Sequence, residues 1–340
     1  MKFDFAIGNP PYQEETDRTS DNPVYNNFMD AAYTVADKVE LIHPARFLFN
    51  AGKTPKDWNQ KMLNDEHFKV LFYEQESSKI FSNTDIKGGI SITYRDSCKK
   101  FGKIGFFTNY PELRSITEKV KLTDFNSFAE LVYAPESYRL SKLLHKEHPE
   151  IKSKLSAGHD FDVTSNIFSK LENIFTDIKP EDGKEYIQIF GLEGTKRVYK
   201  FCPRDYILPH ENLEKYKVFV PKSNGSGAIG EVLSTPLIGQ PLIGHTQTFI
   251  SIGAFNEKRE AENCLKYIKT KFCRTMLGTL KITQDNKKST WQNVPLQDFT
   301  QNSDIDWTVP IPQIDKQLYK KYKLSPQEID FIETHVKEMA

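Results

Sequence analysis

The chain has 340 residues, 38% of them hydrophobic and 27% charged. That is enough apolar mass for two domains, or for one large domain with an appendage, and it excludes a disordered polymer. Lys plus Arg number 46 and Asp plus Glu number 46, so the net charge is zero. Overall charge therefore excludes a generally basic nucleic-acid binder, and any such face must come from local segregation. No run approaches a membrane span, and no basic region with a cleavable apolar stretch opens the chain, so no membrane contact is expected. Cys98, Cys202, Cys264 and Cys273 form no close pair. No structural metal and no disulfide framework are expected, and a reduced, cytoplasmic setting fits best.

In chain order, Phe3 to Gly8 reads as a buried strand. It ends in Asn9-Pro10-Pro11-Tyr12, where two prolines stiffen the backbone and hold an amide and an aromatic ring. With average residue usage this tetrapeptide arises by chance in about one chain in a thousand of this size. Asn22-Pro23 predicts the opening of a helix with Val24, Phe28, Ala31, Ala32 and Val35 at helical spacing. Val39 to Ile42 reads as a second strand ended by His43-Pro44, Asp57 to Asn64 as a helix, Phe68 to Tyr73 as a third strand and Gly89 to Tyr94 as a fourth. Lys99 to Gly102 reads as a turn and Lys103 to Phe107 as a further strand. This alternation predicts a mostly parallel sheet with an antiparallel edge.

After about residue 115 the segments shorten. Tyr186 to Phe190 and Lys217 to Val220 read as strands, and Glu257 to Leu277 as one helix. Ile314 to Val336 reads as two helices split at Leu324-Ser325-Pro326, with Ser325 as cap. A literal G-x-G-x-x-G at Gly225, Gly227 and Gly230 follows a strand. Pro236 and Pro241 downstream forbid the long helix that a dinucleotide site needs, so a glycine-rich recognition loop is the expectation.

Three segments resemble the N6-adenine DNA methyltransferases of restriction–modification systems, in the gamma order in which the catalytic half precedes target recognition. They are Phe3 to Tyr12, Val39 to Phe49 with Pro44-Ala45-Arg46-Phe47-Leu48, and Lys79 to Gly89. The resemblance implies an α/β fold: a partial Rossmann-like methyltransferase sheet, then an α+β target recognition domain. The implied divisions are 1–115 for the catalytic half, 116–300 for recognition of DNA and 301–340 for a helical C-terminal segment.

It also implies a chemistry. The Asn9 side-chain oxygen and the Pro10 carbonyl would accept the hydrogens of an adenine amine, making its lone pair more available to a methyl donor, S-adenosylmethionine, with no metal. The base must first leave the duplex. Tyr12 would stack on one face and Phe81 pack on the other, Pro11 would hold the turn, and Gly8 and Phe28 would lie beside the donor. His43 reads more readily as a structural histidine than as a catalytic base, and Arg46 as one half of an ion pair.

Such an enzyme also needs a donor-binding half, with a glycine-rich loop and an acidic residue for the ribose. In the gamma order that half lies before the catalytic motif, and only two residues precede Phe3 here. The expectation is that the donor site lies largely outside this chain and that a partner polypeptide or a missing segment supplies it. Lys258 to Lys288 concentrates positive charge, and Lys222, Asn224, Lys271, Arg274, Lys287 and Lys288 are the candidate DNA contacts, with Ser223, Gln284, Asn286 and Gln292 nearby. The competing readings are a DNA-binding specificity protein without turnover, a remnant of a larger restriction–modification enzyme, a methyltransferase acting on RNA or a protein amide, and a nuclease built on Glu181 to Lys184.

Overall fold

A computed structural model describes residues 2–14, 22–82, 84–281 and 283–339. The backbone separates into two compact units, Met1–Ser115 and Ile116–Ala340, the division falling within the helix Pro111–Lys121.

The first unit is built on a four-stranded sheet. Its elements are β1 (Phe3–Gly8), α1 (Tyr25–Val35), β2 (Ala36–Pro44), α2 (Lys56–Asn64), β3 (Phe68–Glu74) and β4 (Ile90–Asp96). The strand order is β1-β2-β4-β3. β1 runs parallel to β2, with Phe5 beside Lys38 and Gly8 beside Leu41. β4 is antiparallel to both its neighbours, with a register shift between Val70 and Phe72. The expected mostly parallel sheet is therefore corrected: only one of its three pairings is parallel. Parallel neighbours need a crossover such as α1, whereas β3 and β4 are joined by a loop that returns directly.

Side-chain alternation decides what each face buries. Val39, Leu41 and His43 of β2 point to one face, where Tyr25 and Met29 of α1 and Trp58 and Met62 of α2 cover them. Helical spacing sets each pair four residues apart, on one stripe. Ala6 of β1 packs on this core. Its neighbours Phe3, Phe5 and Ile7 therefore point to the other face, where they are 65%, 46% and 73% exposed. Leu71 and Phe72 on β3 are also exposed. β1 pairs on one side only among the described residues, so a strand of apolar composition forms an open edge.

Residues 103–107 do not form the expected strand. The Gly105 amide turns to the Leu63 carbonyl at the end of α2 (2.8 Å), and Phe107 packs against Phe49 and Tyr73 at 5.3 and 5.4 Å. Pro23 lies two residues before α1 rather than within its first turn, because Asn22–Pro23 pairs with Gln13–Glu14 as a short ladder.

The second unit holds a four-stranded sheet, ordered Leu237–Gly239, Tyr216–Pro221, Phe249–Phe255, Val132–Tyr133, and a three-stranded one, ordered Ile243–His245, Tyr186–Glu193, Lys196–Pro203. Phe190 stands 4.3 Å from Phe249 and 5.4 Å from Phe219 between ring centroids and joins them in one cluster. The expected single helix 257–277 is two, Lys258–Lys269 and Lys271–Gly278. Thr270 adopts an extended ψ of 148° and its hydroxyl accepts from the Cys273 amide, so it stops one helix and caps the next. The two C-terminal helices, Ile311–Lys321 and Pro326–His335, are split as expected, with Ser325 and Glu328 forming a reciprocal cap. No helix among the described residues is long and apolar enough to cross a membrane.

Candidate functional site

β1 delivers Asn9 to the surface at its carboxyl end. Asn9 is exposed and its amide has no protein partner among the described residues. Behind it the chain is tied down: the Tyr12 carbonyl accepts from the Val24 amide at 3.1 Å, and Gln13–Glu14 pairs with Asn22–Pro23. The tetrapeptide is thus held between a strand and a ladder, and its prolines remove the remaining freedom.

A cavity of about 910 Å³ opens beside it. Asn9, Pro10, Pro11 and Tyr12 form one wall, Tyr25, Pro44, Arg46, Gly52 and Lys53 a second, and Asp85, Ile86 and Lys87 a third. The volume lies within the range of small-molecule and nucleotide sites. The third wall is pinned from behind. The Ser77 hydroxyl accepts from the Ile86 amide (2.8 Å) and donates to the Thr84 carbonyl (3.0 Å). Gly89 closes the turn at φ +77°, where a Cβ would sit 2.3 Å from the Glu74 carbonyl oxygen, so only glycine fits.

The Tyr12 hydroxyl is sealed from solvent without a hydrogen-bond partner, and burial pushes its pKa upward. Its ring meets Phe81 edge-on, with centroids 6.4 Å apart and planes at 63°. Two parallel rings sandwiching a base need about 7 Å between them. Phe81 does not line the cavity. The expected pair of parallel rings framing a base is not what the structure holds: the two rings meet at 63°, and only Tyr12 faces the cavity. Gly8 ends β1 beside Leu41, and Phe28 is exposed on α1; neither lines the cavity. Asn83, within the third resembling segment, lies outside the described residues.

His43 is fully buried. Its Nε2 takes the Thr93 hydroxyl at 2.7 Å, its Nδ1 lies 3.2 Å from the Pro44 carbonyl, and it stacks on Tyr25 at 5.8 Å. Desolvation pushes its pKa down to about 4. It is a neutral brace behind Tyr25, one residue removed from the cavity wall. Arg46 is not the half of an ion pair that the sequence suggested: its Nε is buried without an acceptor. Sequence reasoning also missed Tyr25, Lys53 and the Asp85–Lys87 wall. The last of these lay within the third resembling segment, where only the aromatic residue drew attention.

In the second unit, Arg274 and Asn224 are 2% and 5% exposed. Arg274 donates to the carbonyls of Gly230, Lys269 and Lys337, and Asn224 bonds Val232 and the Ser234 amide and hydroxyl. Neither can reach a duplex, which corrects their reading as DNA contacts. A long polar side chain on a basic stretch looks the same in sequence whether it faces water or the orphan carbonyls of neighbouring loops. Asn286 is buried as well, and Lys271 pairs with Glu333 at 2.5 Å. Lys222, Lys287 and Lys288 are exposed. Residues 222–224 and 284–286 run side by side, joined by Asn224 amide to Gln284 carbonyl and Asn286 amide to Lys222 carbonyl.

The G-x-G-x-x-G loop is filled from within. The Glu231 carboxylate accepts from the Ser226 and Gly227 amides (2.7 and 3.0 Å) and lies 3.3 Å from Lys281 Nζ. These contacts hold the Glu231 carboxyl below its usual range. The loop's anion-binding amides are occupied by the chain's own carboxylate, which leaves no cradle for a cofactor there.

Comparison with known proteins matches residues 1–81 to the Eco57I restriction-modification methylases. Over 95 residues the chain is 30% identical to an uncharacterized adenine-specific methylase of Mycoplasma pneumoniae, a match that covers 26% of this chain and 22% of that protein. Among solved structures, the type IIG restriction endonuclease BpuSI aligns over 93% of this chain and 50% of its own (TM-score 0.32, 9% identity). The type IIL restriction-modification enzyme MmeI, solved in complex with DNA, aligns over 97% and 56% (TM-score 0.45, 8% identity). The chain spans about a fifth of the curated relative and about half of each of these structures. The likeness read from Asn9-Pro10-Pro11-Tyr12 is thus met by the family found over the same residues, and this N-terminal segment is similar to restriction–modification adenine methylases.

Proposed function

We propose that the chain is the catalytic and recognition part of an adenine-specific DNA methyltransferase of a restriction–modification system. It would transfer a methyl group from S-adenosylmethionine to the exocyclic amine of an adenine turned out of the duplex. The observation that carries this reading is an exposed, unpartnered Asn9 on a doubly anchored proline turn at the mouth of a cavity of about 910 Å³. An adenine amine is a poor nucleophile because its lone pair is delocalised into the ring. Asn9 Oδ1 and the Pro10 carbonyl would each accept one amine hydrogen, drawing the nitrogen out of the ring plane. As the N–C bond formed and the donor's S–C bond broke, the two acceptors would hold the amine hydrogens until the released proton passed to solvent. Tyr12 supplies the stacking surface that offsets part of the cost of eversion.

The donor supplies an activated methyl group and needs no metal. The glycine-rich loop offers no cradle for it, since its amides are taken by Glu231. The open edge of β1 and the exposed Phe3, Phe5 and Ile7 support the reading that a further polypeptide segment, in this or another chain, pairs there and completes the donor site. On this reading residues 1–115 form the catalytic half of a Rossmann-like domain, 116–300 the target recognition domain and 301–340 a helical closing segment. The exposed Lys222, Lys287 and Lys288, with Ser223 and Gln284 on the paired loops, are the DNA-facing residues it favours, whereas the charge of Lys271 is taken up by Glu333.

The test is transfer of labelled methyl to DNA, with the candidate donor-binding polypeptide added. Asn9→Ala should lower the rate by about a hundredfold or more while DNA binding persists. Undiminished transfer by Asn9→Ala would defeat the assignment. Binding without transfer under every combination would favour a specificity protein instead.

A further inference from the structure

Arg46 opens the short helical turn Arg46–Phe49 that follows β2, and it is part of the cavity wall. The loop after it folds back over its side chain. At Gly52, with φ +83°, a Cβ would lie 3.3 Å from Arg46 Cβ and 3.5 Å from Cδ, so the glycine lets the backbone close down on the arginine stem. That loop is itself braced, with the Thr54 hydroxyl on Asn59 Oδ1 at 2.7 Å and Asn59 Nδ2 on Asn50 Oδ1 at 3.3 Å. The guanidinium is therefore held in place rather than sweeping through solvent.

Held there, it lacks a counter-charge. Its Nε is buried without an acceptor, and no carboxylate pairs with it among the described residues. On the facing wall Lys87 is already matched by Asp85 at 2.7 Å, so Asp85 is not left over for Arg46. A guanidinium only donates, and its planar fork suits two oxygens of one anion. An unsatisfied buried donor is costly to the protein alone. A ligand that brings an oxyanion removes that cost, whereas a neutral base does not balance the charge.

We propose that Arg46 is the phosphate-binding residue of this cavity and grips a backbone phosphate flanking the everted adenosine. The inference rests on the base-binding reading of the same cavity and adds to it the group that fixes the nucleotide's sugar–phosphate side.

The experiment is calorimetric titration of the chain at low salt with 2′-deoxyadenosine, with deoxyadenosine 3′,5′-bisphosphate and with S-adenosylmethionine, repeated for Arg46→Gln and Arg46→Lys. The wild-type chain should bind the bisphosphate about tenfold or more tightly than the nucleoside, as a charge-assisted pair requires. Arg46→Gln should bring the two affinities together with the nucleoside's affinity unchanged, and Arg46→Lys should restore part of the difference through its point charge. If the wild type binds the nucleoside with no preference for phosphate, or if Arg46→Gln keeps the preference, this inference falls and the base-binding reading stands. If Arg46→Gln loses only S-adenosylmethionine, the residue serves the donor's carboxylate and the inference is overturned. If neither nucleoside nor bisphosphate binds, both readings fall together.

Discussion

His43 gives the first unit a stability that depends on pH. The ring is fully buried, stacked on Tyr25 and bonded to Thr93, and its pKa falls from 6.5 to about 4 because the surrounding core cannot solvate an imidazolium. The unfolded chain binds the proton near pH 6.5 and the folded chain only near 4. Between those values the unfolded state holds more protons, so stability is complete above 6.5, declines as pH falls, and levels off below about 4. Each pH unit is worth about 1.4 kcal/mol, so a window of two and a half units amounts to about 3 kcal/mol. His245 in the second unit, lowered to about 3 by burial, acts in the same direction. Asp315 there, raised to about 6 by burial, opposes it, because its contribution is present at low pH and lost as pH rises through 6. The first unit is therefore the cleaner place to measure.

The protein has three tryptophans. Trp58 packs 6.4 Å from Tyr25, so its resonance in 5-fluorotryptophan-labelled protein reports that core. Urea unfolding followed by fluorine NMR from pH 7.5 to 4.5 should show the wild type losing about 2–3 kcal/mol more than His43→Gln over that interval. Carboxylate titrations act on both proteins and cancel in the comparison. Equal losses in the two would refute the argument that a neutral buried imidazole is what acid attacks.

Further outcomes follow from individual contacts. Arg274→Met leaves several carbonyls without their donor and should cost about 3–5 kcal/mol in urea unfolding, while the salt dependence of DNA binding stays as in the wild type. Lys287→Ala with Lys288→Ala should do the reverse, with little loss of stability and a shallower fall of DNA affinity with salt, by about one to two units of log–log slope. Gly89→Ala forces a Cβ against the Glu74 carbonyl at a left-handed φ. It should lower the melting temperature by several degrees and depress methyl transfer by displacing the Asp85–Lys87 wall, and an unchanged melting curve would show that the turn relaxes.

Parts of both units can be read from local signals. Phe3 to Gly8 and Phe68 to Tyr73 are runs of strand-forming residues, and Ser325-Pro326 is a capping signal that needs no tertiary partner to be recognised. Strand direction is different in kind. Nothing in Ile90–Asp96 says that it lies between β2 and β3 and runs against both, because pairing is settled by which loops reach which edges. The basic stretch fails for a related reason. Arg274, Lys281 and Lys287 are equivalent as letters, yet Arg274 and Lys281 turn inward to carbonyls while Lys287 stays in water, and the loops around Gly230 and Asn224 decide which.

What the sequence by itself determined is the stiff turn at Asn9-Pro10-Pro11-Tyr12 and its chemistry, since proline geometry and the amide are properties of the residues in place. What only the tertiary structure decided is the company that turn keeps: the second wall with Tyr25 and Arg46, the third with Asp85 to Lys87, and the edge-on contact of Tyr12 with Phe81. Those residues lie tens of positions apart, and they converge because β2 and the loop before β4 end beside β1. Such a convergence is set by sheet order and burial, which no local stretch of the chain encodes.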